Sequence, residues 1–274
     1  YELSSLAQSY HAVHNPQSFS QKDDASDRIA TEEYFMLISA FKLIKGDKMQ
    51  VRVNHYNLTA AKLKDFSLRF GFEFTDGQKK AVNEIFSDMN SPHVMNRLLQ
   101  GDVGCGKTAV ALCAMYNAAS SGFQVAFLAP TEVLAEQNYK LAQKYLPEFR
   151  VAFLSGALSV KEKNATKKSI AAGQYDIIVG THAILQKNVE FYNLALCICD
   201  EQHRFGVAQR SSLLSKGNSP DLLVMSATPI PRTLSLIFYG DLDITTITDK
   251  PKARAVVGTN IVPQVKYDGM YKFI

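Results

Sequence analysis

The run Leu98–Thr108, LLQGDVGCGKT, constrains this chain more than any other stretch. An apolar segment leads into a turn where Gly101 and the triplet Gly106-Lys107-Thr108 satisfy the spacing G-x-x-x-x-G-K-[ST]. The spacing has a chemical reason. Glycines at 101, 104 and 106 permit backbone angles and close approaches that a β-carbon forbids, so successive N–H groups can turn inward on phosphate oxygens. A helix opening at Lys107 adds the positive end of its dipole. On this reading Gly101, Asp102, Val103, Gly104, Cys105, Gly106, Lys107 and Thr108 form a phosphate cradle. Lys107 reaches the β- and γ-phosphates, and the Thr108 hydroxyl takes one position on Mg²⁺.

The surroundings suit such a loop. From Phe72 onward, apolar strand patterns alternate with helical ones: strands at Gln124–Pro130, Arg150–Gly156, Asp176–Thr181, Leu194–Glu201 and Asp221–Thr228. Helices are expected near Gly77–Met89, Glu132–Tyr145, Val160–Ala172, Val207–Lys216 and Pro231–Tyr239. This alternation predicts an α/β fold whose mostly parallel sheet is covered by helices on both faces. Ligands of such sheets bind beyond the carboxyl ends of the strands, and the polar signatures fall there. The first 70 residues follow another pattern. They suggest helices over Leu3–His14, from about Asp27 to Lys45 with Ser26 as cap, and near Leu58–Phe70, with Asn15–Ser26 a polar loop. Met49–Tyr56 reads either as a strand or as helix continuation.

Composition narrows the partners. No apolar run approaches the length of a membrane span, and the formal charge of +4 permits a polyanionic partner without demanding one. Cys105, Cys113, Cys197 and Cys199 lack the spacing of a zinc site or a disulfide framework, so they read as buried, reduced thiols of a cytoplasmic protein. The second strong signal is Asp200-Glu201-Gln202-His203, directly after the apolar run LALCIC. A carboxylate at the end of a buried strand can hold Mg²⁺, and Glu201 is suited to orient or deprotonate the attacking water.

Five stretches now occur in a telling order: LLQGDVGCGKT, LAPTEVLAEQ (Leu128–Gln137), VGTHAILQ (Val179–Gln186), CDEQHRFGVAQR (Cys199–Arg210) and SATPIPRT (Ser226–Thr233). Their order is that of superfamily 2 helicase motifs I, Ia, Ib, II and III, and their wording resembles the RecG family of bacterial branched-DNA helicases. The transcription-repair coupling factor family shares the HRFGV wording, and Gln202 in place of its usual Glu tips the choice to RecG. Cys105 departs from the Ser common in RecG.

The resemblance implies a RecA-like lobe at 71–255, preceded by a helical linker region at 1–70 and followed at 256–274 by the start of a connection to a second lobe. It implies ATP as the nucleotide, Mg²⁺ as the metal on Thr108 and Asp200, branched or forked DNA as the partner, and a monomer. Thr75 and Gln78 fall where the family reads adenine. Gln202 and His203 would contact motif III or the second lobe. Pro130, Thr131, Gly180 and Thr181 fall where motifs Ia and Ib hold a nucleic-acid backbone, and Ser226, Thr228 and Arg232 where motif III couples the γ-phosphate site to DNA. Lys161, Lys163, Lys167 and Lys168 either extend that track or form a solvated helix face. The arginine finger normally comes from the second lobe, which leads to the expectation of half a motor. A nucleotide-dependent switch without motor activity is the remaining alternative, and it has no need of the Ia, Ib and III motifs.

Lys107 supplies the one side-chain cation of the cradle's motif, so Lys107→Ala should abolish binding of Mg·ATP and Mg·ADP. Calorimetry showing wild-type affinity in the variant would remove the phosphate-cradle assignment.

Overall fold

Uninterrupted apolar runs become strands in the computed structural model, which describes residues 4–47, 50–200, 207–227, 242–249 and 261–273. The strands are β1 (Asn96–Gly101), β2 (Gln124–Leu128), β3 (Val151–Leu154), β4 (Ile177–Gly180), β5 (Leu194–Cys199), β6 (Asp221–Ser226) and β7 (Asp243–Ile247). Among the described residues they pair as one sheet in the order β3-β4-β2-β5-β6-β1-β7. Every pairing is parallel. β6 therefore separates the strand that enters the glycine loop from β5, which ends before Asp200.

Alternating side chains divide between two cores. Val125 and Phe127 of β2, Ile177 and Val179 of β4, and Leu223 and Met225 of β6 join one core. Their neighbours Ala126, Leu128, Ile178, Leu222 and Val224 join the other. The first core is covered by α3 (Ala60–Leu68), α4 (Asp76–Met89), α5 (Lys107–Ser120) and α6 (Glu132–Tyr145). The second takes Ile170 of α7 (Val160–Ala171) and Leu213 of α8 (Val207–Leu214). α5 is buried along nearly its whole length, and its alanines let neighbouring helices approach closely.

The sequence reading and the structure diverge in the amino-terminal region and at β7. α1 (Leu6–His14) forms as expected, capped by Ser5 and Gln8. α2 (Phe19–Asp47) starts earlier than expected, so much of the supposed polar loop is helical. The reason is a cap at Ser18, whose hydroxyl accepts the Gln21 N–H at 3.1 Å, while Ser26 lies inside the helix. β7 was not anticipated, although Ile244, Thr245, Thr246 and Ile247 are β-branched. The expected helix near Pro231–Tyr239 lies outside the described residues.

The stretch from Gln50 to Leu58 is neither strand nor helix continuation. It lies as an extended strap across the amino ends of the central strands. The Arg52 guanidinium donates to both oxygens of Asp221, at 2.7 and 3.0 Å, and to the carbonyls of Ser91, Asp88 and His93. The Tyr56 hydroxyl lies 2.6 Å from Asp221 Oδ2 and 2.9 Å from the Ala195 carbonyl, so its one proton serves two acceptors. Burial raises the Asp221 carboxyl above its ordinary range, opposed by Arg52, the Tyr56 hydroxyl and the Met95 N–H. Burial and that carboxylate push the Tyr56 hydroxyl up. Below the strap, Tyr56, Leu58, Leu63, Phe66 and Phe70 enter the first core alongside α4 and α5.

Removing one partner of a buried ion pair strands the other. Asp221→Ala should therefore cost about 3–5 kcal/mol in urea denaturation, and Tyr56→Phe, which removes one hydroxyl, about 1 kcal/mol. Near-equal, small losses for both would mean that the strap is not sealed.

Candidate nucleotide site and its flanking loops

β1 delivers the chain to the glycine loop at the carboxyl edge. Gly104 and Gly106 take positive φ, 79° and 89°, as a loop that folds its N–H groups inward requires. Gly101 is a glycine for a different reason, since an added Cβ would stand 2.5 Å from Cys105 Sγ and 2.9 Å from the Ile247 carbonyl oxygen. Cys105 is buried and turned toward Gly101, whereas Asp102, Val103 and Gly104 are exposed. Gly106 caps α5 without a side-chain hydrogen bond, which leaves the first turn of α5 open to an anion. Lys107 Nζ donates to the Gly101 and Asp102 carbonyls at 2.7 and 3.1 Å. The ammonium thus lies along the loop it would share with a phosphate. Thr108 is half-buried at the first turn.

Thr75 and Gln78 form a capping box at the start of α4. The Thr75 hydroxyl accepts the Gln78 N–H at 3.3 Å, and Gln78 Oε1 accepts the Thr75 N–H at 2.9 Å. Gln78 Nε2 then donates to the Cys105 carbonyl at 2.8 Å, tying the start of α4 to the phosphate loop. The contact is tight, because a Cβ on Gly106 would stand 2.1 Å from Gln78 Nε2. Gln78 is buried; an amide oxygen has two lone pairs and an amide nitrogen two hydrogens, so each has one valence beyond these bonds.

Asp200 follows β5 and is half-buried, its N–H donating to the Leu128 carbonyl at 2.9 Å. Glu201, Gln202, His203, Thr228 and Arg232 lie outside the described residues. Ser226 ends β6 and is buried. Among the described residues no group of three or more His, Cys, Asp or Glu is placed to hold a metal.

The neighbouring loops carry the other expected residues. Pro130 and Thr131 follow β2, and the Thr131 hydroxyl caps α6 by accepting the Leu134 N–H. Gly180 ends β4, packed so closely that a Cβ would stand 1.9 Å from the Leu154 carbonyl oxygen. Thr181 is buried and opens a short 3-10 turn that leaves His182 exposed. Of the α7 lysines, Lys167 is internal, its ammonium donating to Gln186 Oε1 at 2.8 Å and Asn188 Oδ1 at 2.9 Å. Lys163 donates to the Gly156 carbonyl, and Lys161 and Lys168 are exposed.

The cysteines are free and buried. Burial pushes the Cys113 and Cys199 thiols up to about 12 and raises Cys197 as well, which leaves them protonated and unreactive. Among the described residues no helix is long and apolar enough to cross a membrane. The Gln78–Cys105 bond escaped sequence reasoning. A Thr-x-x-Gln cap was readable at Thr75, but nothing local pointed to its far partner.

Comparison with known proteins agrees with this geometry. The chain is 42% identical over 275 residues to ATP-dependent DNA helicase RecG of Thermotoga maritima, covering 100% of this chain and 35% of the relative. It is 40% identical over 281 residues to the RecG of Bacillus subtilis, covering 100% of this chain and 41% of the relative. The chain thus spans well under half the length of these relatives. A solved structure of RecG bound to a three-way DNA junction superposes with a TM-score of 0.78 at 41% identity, over 97% of this chain and 36% of that one. The DEAD-box helicase Mss116 bound to ssRNA and UDP-BeF shares the fold alone, at 17% identity and a TM-score of 0.52 over 68% of this chain and 42% of that one. The model of the DEAD/DEAH box helicases matches residues 75–237, from the Thr75 cap past the end of β6, and the chain belongs to that family.

Proposed function

We propose that this chain is the ATP-binding lobe of a RecG-type helicase that uses ATP to unwind and remodel branched DNA. The observation that carries the reading is convergence on one edge. The phosphate loop, the Thr75–Gln78 cap, Asp200 and the loops after β2 and β4 all lie at the carboxyl ends of parallel strands. A nucleotide switch has no use for the last two. The likeness to RecG also extends over residues 1–74, ahead of the family match.

In this reading Lys107 and the first N–H groups of α5 bind the phosphates, and Gln78, steadied by Thr75, pairs with adenine through its remaining amide valences. Mg²⁺, when bound, would offset phosphate charge, with the Thr108 hydroxyl and Asp200 carboxylate as its protein ligands. Glu201 orients the attacking water. By resemblance Gln202 and His203 would contact motif III or a second lobe, and Ser226, Thr228 and Arg232 would couple the phosphate end to DNA. Pro130, Thr131, Gly180 and Thr181 shape loops that hold the DNA backbone, the buried Gly180 and Thr181 by setting the loop after β4 and Thr131 with a hydroxyl suited to phosphate contact without base readout. Lys161 is the α7 lysine best placed, by position and exposure, to extend that track. The buried thiols fit a reducing, cytoplasmic setting.

Two experiments test this. In a full-length protein carrying this chain, Glu201→Gln should keep ATP affinity within about twofold and lose most turnover. Hydrolysis near the wild-type rate in that variant would exclude Glu201 from handling water. The 274-residue chain itself should show little stimulation of its ATPase by a forked DNA at low salt, because an arginine finger contributes about 10³–10⁵ in rate and by resemblance comes from a second lobe. Strong DNA-stimulated turnover by the monomeric chain would show that the site is complete without one.

A further inference from the structure

The segment that leaves β7 touches both halves of the nucleotide site. Ile247 lies against the phosphate loop: its carbonyl oxygen would be 2.9 Å, and its own Cβ 3.3 Å, from a Cβ placed on Gly101. Two residues later, Asp249 Oδ2 accepts the Gly77 N–H at 2.7 Å, in the first turn of α4. Gly77 directly precedes Gln78 and lies two residues after Thr75. The approach is close, since a Cβ on Gly77 would stand 2.8 Å from Asp249 Oδ2 and 3.5 Å from Ile247 Cγ2. Further along the same elements, Arg97 of β1 donates to Thr245 of β7 at 2.6 Å and to Glu84 of α4 at 3.1 Å. The Thr245 hydroxyl also donates to Glu84. α4, β1 and β7 are therefore pinned together along their length, and the Asp249 bond is the pin nearest Thr75 and Gln78.

We infer that Asp249 is a positioning residue for adenine. By accepting the Gly77 N–H it sets the first turn of α4, and through that turn the placement of Thr75 and Gln78 over the phosphate loop. Two effects favour a carboxylate here. Its charge stands at the positive end of α4, and its oxygen satisfies an N–H that has no partner within the helix. Gln78 has to keep one amide hydrogen on the Cys105 carbonyl while it offers the other to a base, so a small rotation of the turn misaligns the pair. Phosphate binding relies on Lys107 and the glycine loop, so it should survive that misalignment. The signature is a loss of base selectivity rather than a loss of all affinity. The inference rests on the adenine reading proposed above.

The test is calorimetry on the 274-residue chain with Mg·ATP, Mg·GTP and Mg·tripolyphosphate, with thermal melting as the control for folding. The wild-type chain should prefer ATP to GTP. Asp249→Ala should weaken ATP about fivefold and leave GTP and tripolyphosphate within about twofold, which collapses the preference. Asp249→Asn keeps an acceptor oxygen without the charge, and it should retain most of the selectivity. An unchanged ATP-to-GTP ratio in Asp249→Ala, or an equal loss for all three ligands, would overturn the role of Asp249 and leave the adenine reading standing. If Asp249→Ala melts far below the wild-type chain, Asp249→Glu takes its place, and wild-type selectivity in that displaced carboxylate would equally overturn it. A wild-type chain without preference for ATP would remove the adenine reading, and the inference with it.

Discussion

Parallel pairing throughout the sheet is the constraint on which the rest of this structure depends. Parallel strands place all their carboxyl ends on one edge, so every strand-to-helix loop opens there. Chemistry supplied by residues far apart in sequence then becomes adjacent without any long loop. The opposite edge collects the amino ends, and those carry buried backbone groups and Asp221. Arg52 and Tyr56 answer that need. They belong to the strap ahead of α3 rather than to the alternating elements, so the sheet is closed by a segment outside its own repeat.

On the functional edge, Gln78 joins two recognitions. Its amide completes a helix cap, holds the Cys105 carbonyl of the phosphate loop, and retains the valences a base would use. Gly106 is constrained from both sides, by its positive φ and by the Gln78 amide that occupies the place of a Cβ. The glycine spacing of the loop thus accommodates the start of α4 as well as the phosphates it is proposed to hold.

Much of this was legible in the sequence, for identifiable reasons. The glycine loop, β1 to β6 and the helices between them announce themselves through local pattern: apolar runs, Gly-Lys-Thr, and strand patterns alternating with helical ones. What stayed hidden was long-range pairing. Arg52 and Asp221 are both charged residues in unremarkable contexts, and only the fold brings them within hydrogen-bond reach. Asp249 is equally anonymous in sequence, lying far along the chain from Gly77. Lys167 shows the converse. Its neighbours form a lysine-rich helix that reads as a basic face, yet packing turns this one inward onto Gln186 and Asn188. The start of α2 was misplaced for a local reason, because Ser18 competes with Ser26 as a cap and wins by position.

The place of β6 sets a ruler across the site. Adjacent strands lie about 4.8 Å apart, so β1 and β5, with β6 between them, stand about 10 Å apart. That gap separates the side proposed to grip phosphate, through Lys107, from the side that presents Asp200. Neighbouring strands would leave these groups close enough to pair with each other; strands three apart would leave them too distant to share one small ligand. The width is fixed by backbone hydrogen bonding rather than by side chains, so substitutions in the loops can alter what is held there but not the span. Ser226, at the carboxyl end of the intervening strand, stands at the midpoint of that span.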